Sequence, residues 1–318
     1  MLRQNKQNGN RQMVQKDCVN KKIIIICGPT ASSKTSLSVK VAGLLKSEIV
    51  SADSMNVYKG LNIGTAKPTE KEKNNIKHHL IDVVEPNKNF SVGDYKEMAR
   101  PVIDSLLSRS KTPVICGGTG FYINSILYDL SYGNGPANIK VREKYYELAR
   151  EHGNRFVFDI LKEKDVKSAE KIHFNDLKRV VRALEILENG KRKSDIVDDM
   201  TPVYSYDAYC IDYPREVLYQ RIDKRVDEMI DAGLVSEVDN LLQSGITRDM
   251  QCMQGIGYKE TVSYLFKEIG FDEMVNLIKL NTRHYAKRQI TFFKKMRGLT
   301  KLPPAPLDEI AERIANTL

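Results

Sequence analysis

The segment that most constrains the fold is an apolar run followed by a phosphate-binding turn. Residues 22–27 read as a buried strand, and residues 28–35 have the sequence GPTASSKT. After the turn, Leu37, Val41 and Leu44 recur at helical spacing. A strand that leads through such a turn into a helix is typical of a P-loop, in which backbone N–H groups surround phosphate oxygens. The segment therefore predicts an α/β fold with a P-loop NTPase-like parallel sheet flanked by helices.

The turn matches the pattern G-x-x-x-x-G-K-[ST] at all but one position. Gly28, Lys34 and Thr35 fit, whereas Ser33 replaces the second glycine. The motif predicts a ligand that carries phosphates, and either ATP or a diphosphate offers the same anionic oxygens to a helix N-terminus. The alternative is a strand-turn-helix unit whose lysine is merely solvated.

Composition and length indicate the class of protein and leave its partners open. With 318 residues, 41% of them hydrophobic and 29% charged, the chain reads as a soluble globular protein of two domains. No apolar run approaches the roughly 20 residues that a membrane span needs. The formal net charge of +9 favours a polyanionic partner without establishing one.

The cysteines and the N-terminal residues bear on location. The five cysteines stand far apart and form neither a C-x-x-C pair nor a zinc pattern with histidine, so we expect reduced thiols in the cytoplasm. They are Cys18, Cys27, Cys116, Cys210 and Cys252. Residues 1–20 are rich in Asn, Gln and Lys and lack an apolar stretch, so they are predicted to be a disordered tail.

Short apolar runs alternate with helical stretches up to about residue 130, as in a parallel sheet covered by helices. We predict strands at residues 22–27, 48–52, 79–84 and 113–116, with a helix at 92–108. Residues 131–203 then read as an inserted all-helical domain that begins with a turn cluster at 131–136. A strand at 204–211 returns the chain to the sheet, so residues 21–130 and 204–318 are predicted to form the core domain.

Ligands of such sheets gather at the carboxyl ends of the strands, where two reactive side chains stand. Asp53 follows the second strand, and Thr119 follows the fourth within a GGTG turn. A carboxylate at this place can bind magnesium through water or accept a proton from a nucleophile. The alternative for Asp53 is an ordinary turn or helix-capping role.

An ordered set of motifs adds a resemblance that covers nearly the whole chain. The set consists of GPTASSKT at 28–35, SADSMN at 51–56, NIGTAKPT at 62–69, GGTG at 117–120 and Arg225, with further stretches at 90–95, 175–179, 182–185, 255–260 and 286–289. In this order the motifs resemble the transfer RNA dimethylallyltransferase family, which attaches a five-carbon isoprenoid to an adenosine beside the anticodon. Departures from the family pattern are Ser33, His284 and the pair Phe292-Phe293.

The resemblance implies a role for each active-site residue. Asp53, Thr119 and Arg225 would be catalytic, with Asp53 taking the proton of the adenine amine, and Mg²⁺ would lie near Thr35. The diphosphate of dimethylallyl diphosphate would lie on Gly28, Thr30, Ala31, Ser32, Ser33, Lys34 and Thr35. The tRNA would contact Asp53, Ser54, Met55, Asn56, Arg142, Lys178, Arg179, Arg182, Gln254, Gly257, Tyr258, Lys259 and Lys287.

A run of basic residues supports a nucleic-acid partner independently of the resemblance. No Asp or Glu occurs from residue 274 to 307. On one continuous helix, five cations would form an uncompensated stripe within about 80 degrees of one another, namely Lys279, Arg283, Lys287, Lys294 and Arg297. A charged stripe can also be just a solvated face. Tyr258 could stack on a base, although such tyrosines more often belong to the core.

Three classes of function remain to be compared, and we favour prenyl transfer to tRNA. An ATP-dependent kinase of small molecules or nucleotides explains residues 22–130 but leaves the basic stripe without a role. A P-loop protein that only binds RNA leaves Asp53, Thr119 and Arg225 unexplained. The sequence implies no membrane and no protein partner.

Overall fold

The computed structural model describes residues 22–131, 138–196 and 199–318. Within these residues the chain forms six strands and thirteen α-helices. The strands are β1 (Lys22–Cys27), β2 (Ile49–Ser51), β3 (His78–His79), β4 (Val114–Gly117), β5 (Ser205–Ile211) and β6 (Leu299–Leu302). The predicted tail at 1–20 and most of the turn cluster predicted at 131–136 lie outside the described residues.

The helices fall between and after the strands. They are α1 (Lys34–Leu44), α2 (Glu70–Lys73), α3 (Val92–Ser108), α4 (Gly120–Leu127), α5 (Ile139–His152), α6 (Asn154–Lys164), α7 (Val166–Ala169), α8 (Leu177–Glu188), α9 (Arg215–Asp231), α10 (Leu234–Gln243), α11 (Tyr258–Leu265), α12 (Phe271–Phe293) and α13 (Leu307–Ala315). None of these described helices is both long enough and apolar enough to cross a membrane.

The strands form one parallel sheet in the order β3-β2-β4-β1-β5-β6. Strand β1 lies inside the sheet, and Ile23 to Ile26 are at most 1% exposed, which explains its continuous apolar sequence. Cys27 at the end of β1 is in register with Gly117 at the end of β4, and Ser51 of β2 is in register with Cys116. The loops after β1, β2 and β4 therefore emerge at the same edge.

The chain divides into two compact units, one of residues 22–127 with 202–318 and one of residues 128–201. In the first unit, α1 and α13 pack together, and their buried side chains, among them Leu37 and Ile314, join the core of the sheet. The second unit has its own core, in which α5, α6 and α8 contribute Tyr145, Leu161 and Leu184.

Two details of the sheet differ from the sequence predictions. The strand predicted at 79–84 is only His78–His79, because Leu80 and Asp82 have φ of 61° and 56° and cannot continue an extended strand. Val84 forms only an isolated bridge with Tyr58. Strand β6, a four-residue edge strand beside β5, was not predicted from the sequence.

The predicted basic stripe is also wrong in part. Helix α12 ends at Phe293, so Arg297 lies beyond the helix. The first part of the stripe is compensated, because Lys279 forms an ion pair with Asp227 at 2.6 Å and Arg283 with Asp223 at 3.2 Å. Both carboxylates belong to α9, a neighbour that the local sequence could not identify.

Candidate active site

The P-loop has an unusual backbone for its sequence. Gly28 has φ of 141°, which favours glycine, but the non-glycine residues Ala31 and Ser33 also have positive φ, of 61° and 62°. Ser33 is the N-cap residue of α1, yet its side chain forms no capping hydrogen bond to the helix. A left-handed backbone costs a residue with a side chain about 1–2 kcal/mol. The loop therefore keeps a strained conformation that places helix N–H groups at the edge of the sheet.

Beside the P-loop is a cavity of about 380 Å³, within the range of small-molecule sites. Its lining comes from the P-loop, the loop after β2, the loop at residues 64–68, the segment at 254–259, and helices α9 and α12. Among the predicted site residues it includes Thr30, Lys34, Thr35, Asp53, Ser54, Met55, Asn56, Arg225, Gln254, Gly257 and Lys259. Ala31, Ser32 and Ser33 line a neighbouring pocket that shares Lys34, Thr35 and Arg225 with the first.

Lys34 and Arg225 are two of the four Lys and Arg residues that line the cavity, together with Lys259 and Arg288. Burial lowers the pKa of the Lys34 ammonium and of the Arg225 guanidinium, since desolvation disfavours the charged form. Lys34 donates to the carbonyl of Pro29 at 3.1 Å. Within the described part of the chain, neither cation has an ion pair with a carboxylate closer than 4 Å. An anionic ligand would therefore relieve the cost of enclosing both charges.

Asp53 combines a turn role with access to the cavity. Its Oδ1 accepts hydrogen bonds from the backbone N–H of Met55 at 2.9 Å and of Asn56 at 3.4 Å. Asp53 therefore does have the ordinary turn role that its sequence position also allowed. Its other oxygen, Oδ2, has no hydrogen bond from the described residues. Since Asp53 lines the cavity, one carboxylate oxygen holds the loop and the other can serve a ligand.

Thr119 supports the Asp53 loop rather than forming part of the cavity lining. Its Oγ1 accepts from the backbone N–H of Ser54 at 3.0 Å and donates to Ser54 Oγ at 3.3 Å. The loops approach closely because residue 117 is glycine, since a Cβ there would lie 2.1 Å from the carbonyl oxygen of Ala52. A direct contact between Thr119 and a diphosphate stays a prediction.

The chain is similar to known proteins over most of its length. The family model described as IPP transferase matches residues 56–296. A tRNA dimethylallyltransferase of Acetivibrio thermocellus is 45% identical over 281 residues, which cover 87% of this chain and 90% of that protein. The chain belongs to the IPP transferase family. The relatives support the transferase interpretation and not the kinase alternative.

Solved structures of IPP transferase relatives have the same fold. The tRNA isopentenylpyrophosphate transferase of Bacillus halodurans is 37% identical, with a TM-score of 0.71, and the match covers 94% of this chain and 95% of that one. A eukaryotic dimethylallyltransferase solved in the act of modifying tRNA is 27% identical with a TM-score of 0.78, and the match covers 94% and 77%.

Glu237 of α10 is a site-forming residue that the sequence analysis missed. Its carboxylate accepts hydrogen bonds from the backbone N–H groups of Asn62, Ile63 and Gly64 at 2.9, 2.8 and 3.2 Å, and from the Tyr258 hydroxyl at 2.7 Å. Three consecutive amides around a carboxylate fix a loop that lines the cavity. A lone Glu at helical spacing gives no sign of this role.

The structure corrects the base-stacking role predicted for Tyr258. Its ring is fully buried, and a Cβ on Gly64 would lie 2.6 Å from the ring, so the tyrosine fills the space that this glycine leaves. A buried ring has no free face for a base, and the predicted stacking is therefore wrong. The two other polar side chains predicted in this segment, Gln254 and Lys259, do line the cavity.

The basic residues predicted to contact tRNA differ in whether they are bound to a buried carboxylate of the protein. Arg142 donates to the buried Glu185 at 3.0 and 3.1 Å, and Arg182 donates to the same carboxylate at 2.6 Å. Burial raises the pKa of Glu185, but the two guanidinium groups lower it below its ordinary value. Lys178 and Arg179 are exposed on α8, as is Lys287 on α12. Arg142 and Arg182 therefore stabilise the unit of residues 128–201. The side chains of Lys178, Arg179 and Lys287 face solvent.

Proposed function

We propose that this protein transfers a dimethylallyl group from dimethylallyl diphosphate to the N6 amine of the adenosine 3′ of the anticodon in certain tRNAs, releasing diphosphate. The observation that carries the proposal is the placement of Lys34, Arg225 and Asp53 around one cavity. Two cations without carboxylate partners fit a leaving diphosphate, and a carboxylate with one unbonded oxygen fits an amine that loses a proton. The names of the relatives support the same reaction.

Magnesium fits this site only together with the substrate. The described residues contain no group of three His, Cys, Asp or Glu side chains that could hold a metal ion. Thr35 lines the cavity beside Lys34, and in P-loop proteins the hydroxyl at this position holds Mg²⁺ with phosphate oxygens and water as the other ligands. Magnesium bound there would neutralise charge on the diphosphate.

In the proposed reaction, the nitrogen of the adenine amine forms a bond to the allylic carbon while the bond from that carbon to the diphosphate oxygen breaks. Negative charge grows on the departing oxygen, so Lys34 and Arg225 stabilise the transition state more than the bound substrate. Asp53 accepts the proton that the amine loses. The adenine must leave its stack to enter a cavity of this kind.

The tRNA contacts of the proposal follow from exposure and charge. We assign phosphate contacts to Lys178, Arg179 and Lys287, which are exposed cations. The segment from Ser54 to Asn56, together with Gln254 and Lys259, lines the cavity and would meet the target nucleotide. We also propose a cytoplasmic location, where tRNA is available and the buried free thiols of Cys27, Cys116, Cys210 and Cys252 stay reduced.

The test is incubation with unmodified tRNA, dimethylallyl diphosphate and Mg²⁺, followed by mass analysis of the nucleosides. We expect N6-dimethylallyladenosine, and its formation by Asp53→Asn should be slower by about a hundredfold or more. As a binding control, dimethylallyl diphosphate should raise the melting temperature more than ATP does. Phosphate transfer from ATP to a small molecule without prenylation would support the kinase alternative. Retained tRNA binding without any modified nucleoside would indicate a protein that only binds RNA.

A further inference from the structure

One side chain of α9 contacts both strained residues of the P-loop. Arg221 donates from Nε to the carbonyl oxygen of Ala31 at 2.8 Å and from Nη2 to the hydroxyl oxygen of Ser33 at 2.6 Å. Ala31 and Ser33 are the two non-glycine residues of the loop with positive φ. The planar guanidinium therefore bridges the two positions at which the loop backbone is least favourable.

The surroundings of Arg221 separate its role from that of Arg225. Arg225 lines the cavity one helical turn further along α9, whereas Arg221 does not line it. The guanidinium of Arg221 lies 4.8 Å from the centre of the Tyr213 ring, and two of its nitrogens are bonded to the loop. The two donors that face the loop thus serve the protein, and Arg225 is the arginine of α9 that lines the cavity.

Ser33 supplies an acceptor that glycine could not provide. Its hydroxyl makes no capping bond to α1 but lies 2.6 Å from Arg221 Nη2 and 3.4 Å from the Tyr213 hydroxyl. The residue that departs from the P-loop pattern therefore contributes both the strain of a left-handed side chain and a charge-assisted hydrogen bond that opposes it.

We propose that Arg221 is a positioning residue that holds the P-loop in its phosphate-binding conformation, with Ser33 as its side-chain acceptor. The inference rests on the proposed function, because it takes the diphosphate to be the ligand of this loop. Without the bridge, the strained residues relax, and the helix N–H groups no longer converge on one anion.

The first experiment measures the Kd of inorganic diphosphate in the presence of Mg²⁺. Arg221→Lys keeps the charge but loses the planar pair of donors, and we expect about tenfold weaker binding, the scale of one lost charge-assisted hydrogen bond. Ser33→Ala, which keeps the strain and removes the acceptor, should weaken binding several-fold. The matched control is Arg215→Lys, because Arg215 lies on the same helix and stacks on Tyr219 without contacting the loop.

Coupling and rescue distinguish positioning from a general loss of stability. The double variant of Arg221→Lys with Ser33→Ala should bind about as weakly as Arg221→Lys alone, since both changes break one interaction. Adding Ser33→Gly to Arg221→Lys should recover part of the affinity, because glycine adopts positive φ without support. Additive losses, or an Arg221→Lys variant with wild-type affinity, would overturn the proposal.

Kinetics and amide exchange complete the test. Arg221→Lys should raise the KM for dimethylallyl diphosphate while kcat and the KM for tRNA change by less than about twofold. A fall in kcat at unchanged KM contradicts the inference. If the wild-type protein binds no diphosphate, the proposed function fails, and the loop-holding role is judged by hydrogen exchange alone. Arg221→Lys must then accelerate amide exchange at residues 28–37 relative to the wild-type protein, and Arg215→Lys must not. Equal exchange rates in Arg221→Lys and the wild-type protein would overturn the loop-holding role.

Discussion

Gln289 and Thr30 lie 259 residues apart in sequence but are joined by a hydrogen bond of 2.9 Å from the backbone N–H of Thr30 to Gln289 Oε1. The Nε2 group of the same side chain donates to the carbonyl oxygen of Gly118 at 2.9 Å. Gln289 is 5% exposed. One buried carboxamide of α12 therefore fixes the P-loop relative to the loop after β4.

Gln289→Met should lower the free energy of unfolding by about 2–4 kcal/mol, because the partly buried Thr30 N–H and the buried Gly118 carbonyl lose their partner together. The KM for dimethylallyl diphosphate should rise as the P-loop loses its support. Urea unfolding and steady-state kinetics measure both effects. Gln243→Met is the matched control, since Gln243 bonds to Asp239 at the surface, and it should change stability by less than about 0.5 kcal/mol. Equal effects of the two substitutions would contradict the assignment.

Asp53→Asn should lower kcat by about a hundredfold or more, the usual scale for removing a general base. The amide oxygen can still accept from Met55 and Asn56, so the loop should keep its shape and inorganic diphosphate should bind as before. Asp53→Ala removes the turn bonds as well and should add a loss of tRNA affinity. Turnover within a few-fold of wild type in the asparagine variant would exclude Asp53 as the proton acceptor.

Arg225→Ala should weaken diphosphate affinity and lower the rate, because the positive charge of Arg225 stabilises the diphosphate both in the bound substrate and in the transition state. We expect a loss of about a hundredfold in kcat/KM, comparable to removing one preorganised donor from an active site. Titration with inorganic diphosphate and single-turnover kinetics separate the two effects. Lys224→Ala is the control, since Lys224 is the adjacent cation and its side chain is 79% exposed. A change confined to tRNA affinity would reassign Arg225 to the RNA.

The double variant of Lys287→Glu and Lys294→Glu should weaken tRNA binding and flatten its dependence on salt. Both lysines are exposed, and each lost phosphate contact lowers the slope of log K against log salt by about 1. Filter binding at several salt concentrations measures the slope. The control is Lys71→Glu with Lys88→Glu, two exposed lysines outside α12. If the two double variants have the same slope, Lys287 and Lys294 make no phosphate contact.

The surroundings of Glu48 predict that the free energy of unfolding depends on pH. Burial raises the pKa of its carboxyl, but hydrogen bonds from Lys111 and His79 at 2.7 Å each outweigh burial and lower it to about 2. A lowered pKa means that the folded state binds this proton less readily than the unfolded chain, so the contribution is present above about pH 4.5 and is lost as the pH falls towards 2. The free energy of unfolding of Glu48→Gln should therefore depend less on pH in this window. Parallel curves for the two proteins would remove Glu48 from acid unfolding.

The sequence by itself determined the features that depend on neighbouring residues. The run of isoleucines at 23–26 identified β1 because a strand buried on both faces has no polar alternation. The motif at 28–35 identified the phosphate-binding turn, and Leu37, Val41 and Leu44 at helical spacing identified α1. The place of Asp53 at the cavity also followed from sequence, because strand ends in a parallel sheet meet at one edge.

Only the tertiary structure decided which distant groups become partners. It paired Lys279 and Arg283 with carboxylates of α9, buried the Tyr258 ring, and stopped β3 at His79. It also brought Arg221 to the carbonyl of Ala31, 190 residues away. Local patterns fix backbone periodicity and burial, but a hydrogen bond or ion pair between distant residues depends on how packing orients two elements. The sequence therefore specified the P-loop and its cavity, and the fold alone selected the side chains that hold them in place.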